Sequence, residues 1–120
     1  MAKWQIDAML DAALAYISSN ATELYVCSDQ PTTRGEAISL GLTGAATPSF
    51  TGPSNGDASG RKLQVDEEAA ISVTANGNAT HIALCSGSAL LYVTTCTQQA
   101  LTAGNTVTVP AWDIEIADAA

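Results

Sequence analysis

The chain has 120 residues, and its four basic and twelve acidic side chains give a net charge of −8. That balance excludes the basic footprint on which nucleic-acid and anionic-membrane binding depend, and no apolar run approaches the length of a membrane-spanning helix. Charged residues make up 13% and hydrophobic residues 47%, so one domain can bury a sizeable core beneath a surface of mostly Ser, Thr, Asn, Gly and Ala, which suits a chain that associates with others.

Met1-Ala2-Lys3-Trp4 leads into a segment interrupted by Asp7 and Asp11, which does not fit the apolar region of an export signal. Synthesis in a reducing cytoplasm is expected, and Asn20-Ala21-Thr22 and Asn78-Ala79-Thr80 then read as chance glycosylation matches. Residues 5–18 read as a helix, with Ile6, Met9, Leu10, Ala13, Leu14 and Ile17 on one stripe and Asp7, Asp11 and Ser18 beside it. Trp4 projects off the stripe and is a candidate anchor for a partner. Glu23 to Cys27 reads as a short strand closed by Asp29-Gln30-Pro31, and Glu36 to Leu42 as a helical turn or a short extended piece. Residues 43–60, rich in Gly, Pro, Ser and Thr, read as an irregular loop. Loops this long in a small domain serve binding or assembly, which makes Pro48, Phe50 and Pro53 candidate contacts.

Asn55, Asp57, Ser59, Gly60 and Asp66 match alternate oxygen positions and the glycine bend of a calcium-binding loop. Asn55 stands where aspartate is usual, Lys62 where an apolar residue is usual, and no helix flanks the segment. A turn held by Asx side chains accounts for the same residues, so no metal and no cofactor are expected.

The β core is expected over residues 61–117. Leu63 and Val65 alternate, and residues 69–96 read as a three-strand meander. Asn76-Gly77 is a strong hairpin signal that places Ile71 opposite Ile82 and Ala69 opposite Leu84. Gly87-Ser88 suits a type II′ turn that places Leu84 opposite Leu91 and Ile82 opposite Val93. The expected core is Ile71, Val73, Ile82, Leu84, Leu91 and Val93, joined by Trp112 and Ile114 of a final half-buried strand. The meander's other face, with Ala83, Cys85, Leu90 and Tyr92, is apolar enough to need a cover. In this register Cys85 and Cys96 share a face but lie roughly 20 Å apart along the strand, too far for a disulfide. All three thiols are expected free. The sum is one domain, residues 1–120, mainly β: one N-terminal helix, then six to eight antiparallel strands in a β-sandwich or small barrel.

No constellation for catalysis appears. His81 is the lone histidine, expected mid-strand between Ser72 and Thr94. No nucleophile elbow accompanies it and no second histidine could complete a zinc site. Asp66-Glu67-Glu68 reads as a solvated turn. The protein is expected not to be an enzyme; a small hydrolase using His81 is the last of three alternatives.

Several segments resemble short proteins encoded among the virion genes of tailed phages and prophages. They are Asp57-Ala-Ser-Gly-Arg-Lys-Leu63, Gly77-Asn-Ala-Thr-His-Ile-Ala-Leu84, Leu91-Tyr-Val-Thr-Thr-Cys-Thr97, Leu101-Thr-Ala-Gly-Asn-Thr-Val107 and Pro110-Ala-Trp-Asp-Ile-Glu-Ile116. Cys27-Ser28-Asp29-Gln30-Pro31-Thr32 extends the likeness toward the start. The resemblance implies a virion structural protein, foremost a capsid decoration (cement) protein on the capsid surface. Its implied partner is the major capsid protein. Self-association is expected as well, a homo-oligomer with a trimer as the first arrangement to test; nucleic acid and membrane are not expected partners. The runner-up is a tail or fibre module that recognises a host surface.

Overall fold

The computed structural model describes residues 7–56 and 60–116. Trp4, Asp57 and Ser59, singled out above, lie outside the described residues. The order is α1 (Asp7–Asn20), β1 (Glu23–Cys27), α2 (Arg34–Ser39), β2 (Phe50–Asn55), β3 (Arg61–Val65), β4 (Glu68–Ser72), β5 (Gly77–Cys85), β6 (Leu90–Leu101), β7 (Thr106–Val109) and β8 (Trp112–Ile116). Eight antiparallel strands thus form a mainly β fold behind an N-terminal helix, as the hydrophobic pattern implies. They make three sheets, ordered β1-β5-β6, β2-β3-β8 and β4-β7, with no barrel closed.

Helix α1 lies on β2 and β3. Leu10 and Leu14 are buried and Ile17 packs on the core, while Asp11 takes a 2.7 Å ion pair from Arg61. Met9 and Ala13, expected on the buried stripe, face solvent instead, and Met9 and Tyr16 are each 60% exposed. The narrow sheet beneath covers the Leu10–Leu14–Ile17 line alone, and the helix's apolar arc is wider than that. Helix α2 starts at Thr33, whose side chain accepts the Glu36 amide at 3.1 Å. The Glu36 carboxylate reaches back to the Thr32 amide and hydroxyl, a variant of the capping box.

The expected hairpin at Asn76-Gly77 does not form. β5 pairs with β1, placing Leu24 opposite Leu84 and Val26 opposite Ile82, and β4 pairs with β7, placing Ile71 opposite Val107. Local chemistry explains the difference. The Asn76 carboxamide accepts the Ala103 amide at 2.8 Å and so caps the 102–105 turn. Gly77 sits against Leu42, where a Cβ would fall 2.8 Å from a Leu42 methyl. The glycine permits a close approach rather than a turn.

The second hairpin does form, through Gly87-Ser88, with Cys85 opposite Leu90. The turn is held by Ser86, whose amide donates to the Ala89 carbonyl and whose hydroxyl accepts the Ser88 and Ala89 amides; Gly87 does not take the positive φ of a type II′ turn. A bulge follows at once, so Leu84 faces Tyr92 and Ile82 faces Thr94, one residue out of the expected register. The extra residue moves Val93 to the other face. A second bulge lies between Ala79 and His81.

Two cores result. The main one includes Leu14, Leu24, Val26, Leu63, Val65, Val73, Ile82, Leu84 and Ile114, with Ile71, Leu91 and Trp112 packed against it. The second gathers Tyr25, Cys27, Ala37, Ala83 and Cys85, with Leu40, Leu90 and Val93 beside them. Its cover is α2, which supplies Ala37, together with its C-cap residue Leu40. Cys85 and Cys96 therefore serve different cores rather than one face, and all three thiols are free.

Within the expected loop of residues 43–60, Phe50–Asn55 forms strand β2, while residues 43–49 carry only isolated bridges. Residues 40–46 run along the free edge of β1, with Leu42 donating to Val26 at 2.7 Å and Leu24 and Ala46 exchanging both bonds. Thr43 bridges to Val73, and β2 pairs with β3 through a bulge at Gly52, whose φ of +110° favours glycine. Pro48 is buried and Phe50 packs on the main core. Both were candidate contacts, yet both point inward; Pro53 is half-buried.

Candidate functional site

β6 and β7 face each other without pairing, because β6 bonds to β5 and β7 to β4. Between them and the start of β8 lie two adjoining hollows of about 210 and 370 Å³. Both are lined by Ile82, Cys96, Thr97, Val109 and Pro110. Val26, Ala79 and Val107 form the floor of the first, which is the main core seen from outside. Gln99 and Thr108 line its polar rim. The second reaches Trp112 and Asp113. Trp112 stacks on Tyr92 at 5.9 Å between ring centres, and its Nε1–H is buried without an acceptor among the described residues. Asp113 forms an ion pair with Lys62 at 3.5 Å.

The meander expected over residues 69–96 ends its last strand at Cys96, whereas β6 runs on to Leu101. The groove residues Thr97 and Gln99 were missed for that reason. The signal for them was the β-branched Thr94, Thr95 and Thr97, in a stretch with no Gly or Pro before Gly104.

The remaining candidates are dispersed. His81 stands opposite Cys27 and Thr95, not Ser72 and Thr94, with Thr80 Oγ1 2.8 Å from its Nδ1. Cys27 is fully buried, and burial with Cys85 nearby pushes its thiol up to about 11. Burial also raises Cys85 and Cys96, so none is an activated nucleophile. Asn55 accepts from Arg61 at 2.8 Å across the β2–β3 hairpin. Asp66 lies past the other end of β3, accepting from Thr51 and Gln64. Five residues of strand hold these two calcium candidates roughly 17 Å apart, so they do not converge on one ion. Among the described residues no three His, Cys, Asp or Glu side chains are grouped to hold a metal.

Arg34 donates from Nε and Nη2 to both oxygens of Glu23 at 2.9 Å and locks α2 to β1; these bonds hold the Glu23 carboxyl below its ordinary range. Arg61 ties α1 to the β2–β3 hairpin through Asp11, Asn55 and the Pro53 carbonyl. The site as a whole offers two strand edges, an apolar floor and a polar rim in which Asp113 is the charged lining residue. That arrangement can hold another polypeptide; it brings together no acid, base and nucleophile.

Compared with protein-family models, curated proteins and solved structures, the chain matches none.

Proposed function

We propose that this protein is a structural component of a tailed-phage virion, a capsid decoration protein that binds the major capsid protein. The observation that carries the reading is the set of segments between Asp57 and Ile116 that resembles phage virion proteins. The physical character of the molecule supports it. A protein repeated over a shell needs a stiff scaffold and broad, weakly charged contact surfaces. Here bulged antiparallel sheets enclose two cores, and α1 leaves an open apolar flank of Met9, Ala13 and Tyr16.

Gold labelling of purified particles with an antibody to this chain tests the proposal. Label distributed over the whole shell is the expected result. Label confined to one vertex would replace it with the tail or fibre reading, and particles without label would remove both.

A further inference from the structure

Every Asp, Glu, Lys and Arg of this acidic chain lies before Ala69 or after Trp112. The strand pairing gathers that uncharged run into β5, β6 and β7, so the β6 edge and both strand walls of the groove come from it. β6 itself, twelve residues long, contains no charge, proline or glycine. Proteins ordinarily protect an exposed edge strand with lysine, proline or a paired element, and among the described residues none of these pairs with or interrupts the outer side of β6.

We propose that a second copy of the chain joins along the outer edge of β6, strand against strand, antiparallel about a twofold axis. The joined sheet runs β1-β5-β6 and on through β6-β5-β1 of the second copy, and the contact covers the groove. Charge selects this occupant. Two copies, each with a net charge of −8, repel wherever their acidic parts approach, and the β6 edge is where that repulsion is weakest. A strongly basic partner would be drawn to the acidic remainder instead. An antiparallel strand pairs with its own copy by a twofold alone, which is the closed, self-complementary solution. The edge is roughly 40 Å long and about 10 Å deep, or about 400 Å² per partner, half of what a standard stable interface buries. The contact must therefore include the β7 wall, and it will be weak and concentration-dependent. The orphan Trp112 Nε1–H at the groove's end gains an opportunity for an acceptor from the second copy.

Cys96 supplies the readout, since it lines both hollows while Cys27 and Cys85 are fully buried. The full-length protein should form dimers in analytical ultracentrifugation as its concentration rises, and maleimide labelling of Cys96 should slow in parallel. Thr95→Glu with Gln99→Glu, both at exposed positions on β6, should weaken dimerisation about tenfold or more at low salt and restore fast labelling. The same two charges placed on α1, as Ala12→Glu with Ser19→Glu, should leave the dimer intact. Should the β6 pair unfold the chain, Gln98→Glu alone gives the same reading. A wild-type protein that stays monomeric, a trimer as the first associated species, normal dimers in the β6 variant, or dimers lost in the α1 variant would each overturn the proposal. Particle labelling does not depend on this contact, so the virion reading and this one fail separately.

Discussion

Leu84→Ala tests the heart of the fold. Leu84 is fully buried between Leu24 on one neighbouring strand and Tyr92 on the other. Removing three carbons forfeits about 2.4 kcal/mol at about 0.8 per buried methylene, and the cavity left between two hydrogen-bonded strands raises the loss to about 3–5 kcal/mol. A chain of this length is worth about 6–18 kcal/mol in total, so the variant should fold with its urea midpoint lowered by about 2 M. Fluorescence of Trp112, stacked on Tyr92 one strand away, reports the transition. A loss under about 1.5 kcal/mol would mean the site is not enclosed as described. A double-mutant cycle then tests which strand lies beside β5. Val26→Ala and Ile82→Val, directly opposite in the β1–β5 register, should couple by about 0.5 kcal/mol or more. If they are additive while Ile71 couples to Ile82, the Asn76-Gly77 hairpin exists after all.

Ala70 holds a positive φ of 55° at the bulge in β4. Ala70→Gly should therefore leave the melting temperature unchanged or raise it; a loss of about 1 kcal/mol, normal for glycine in a strand, would refute the strain. Because Arg34 depresses the Glu23 carboxyl, this pair's contribution is complete above the ordinary glutamate range and is lost as pH falls through the lowered value. Urea midpoints taken from about pH 5 toward about pH 3 should fall less steeply in Glu23→Gln than in wild type, and identical slopes would contradict that linkage. Arg61→Ala should speed amide exchange in α1 more than in β5, because it releases Asp11 and Asn55 together; equal protection of α1 in both proteins would show that packing alone holds the helix. A chelator should leave thermal stability unchanged, and a melting temperature that falls with EDTA and returns with calcium would restore the Asn55–Asp66 loop as a metal site.

Much of the fold was legible because its signals were local. Alternation over Leu63 and Val65, over Val107 and Val109, and over Trp112, Ile114 and Ile116 specifies strands with one buried face. Gly87-Ser88 fixes a hairpin whose two arms follow directly in sequence. At Asn76-Gly77 a tertiary partner overrides a local preference. Asn76-Gly77 would make a turn in isolation, but Leu42 and Ala103 engage those two residues from distant parts of the chain. The bulge at Leu90–Tyr92 left no mark in the hydrophobic pattern, since Leu90, Leu91, Tyr92 and Val93 are all apolar and either register buries some of them. Phe50–Asn55 holds Gly52, Pro53 and Ser54, all turn formers, and only the neighbouring backbone of β3 makes a strand of it. The threonines of β6 hinted at its length, but that β7 stands across from it was not legible, because the two strands meet across the groove without pairing.

The order of strands in space also sets a timetable for folding. Only β2–β3 and β5–β6 pair with a near neighbour in sequence; β1 waits for β5, β4 for β7, and β3 for β8, which ends at Ile116. A growing chain can therefore close two hairpins on the ribosome but cannot complete any of its three sheets until most of its length has emerged. Closing such long loops makes folding slow relative to a helical protein of the same size. During that interval the neutral strands from Ala69 onward are exposed with no charge to keep chains apart. Refolding yield should consequently fall with protein concentration well before native stability does, and a loss of residues 112–116 should trap the molecule in that exposed state.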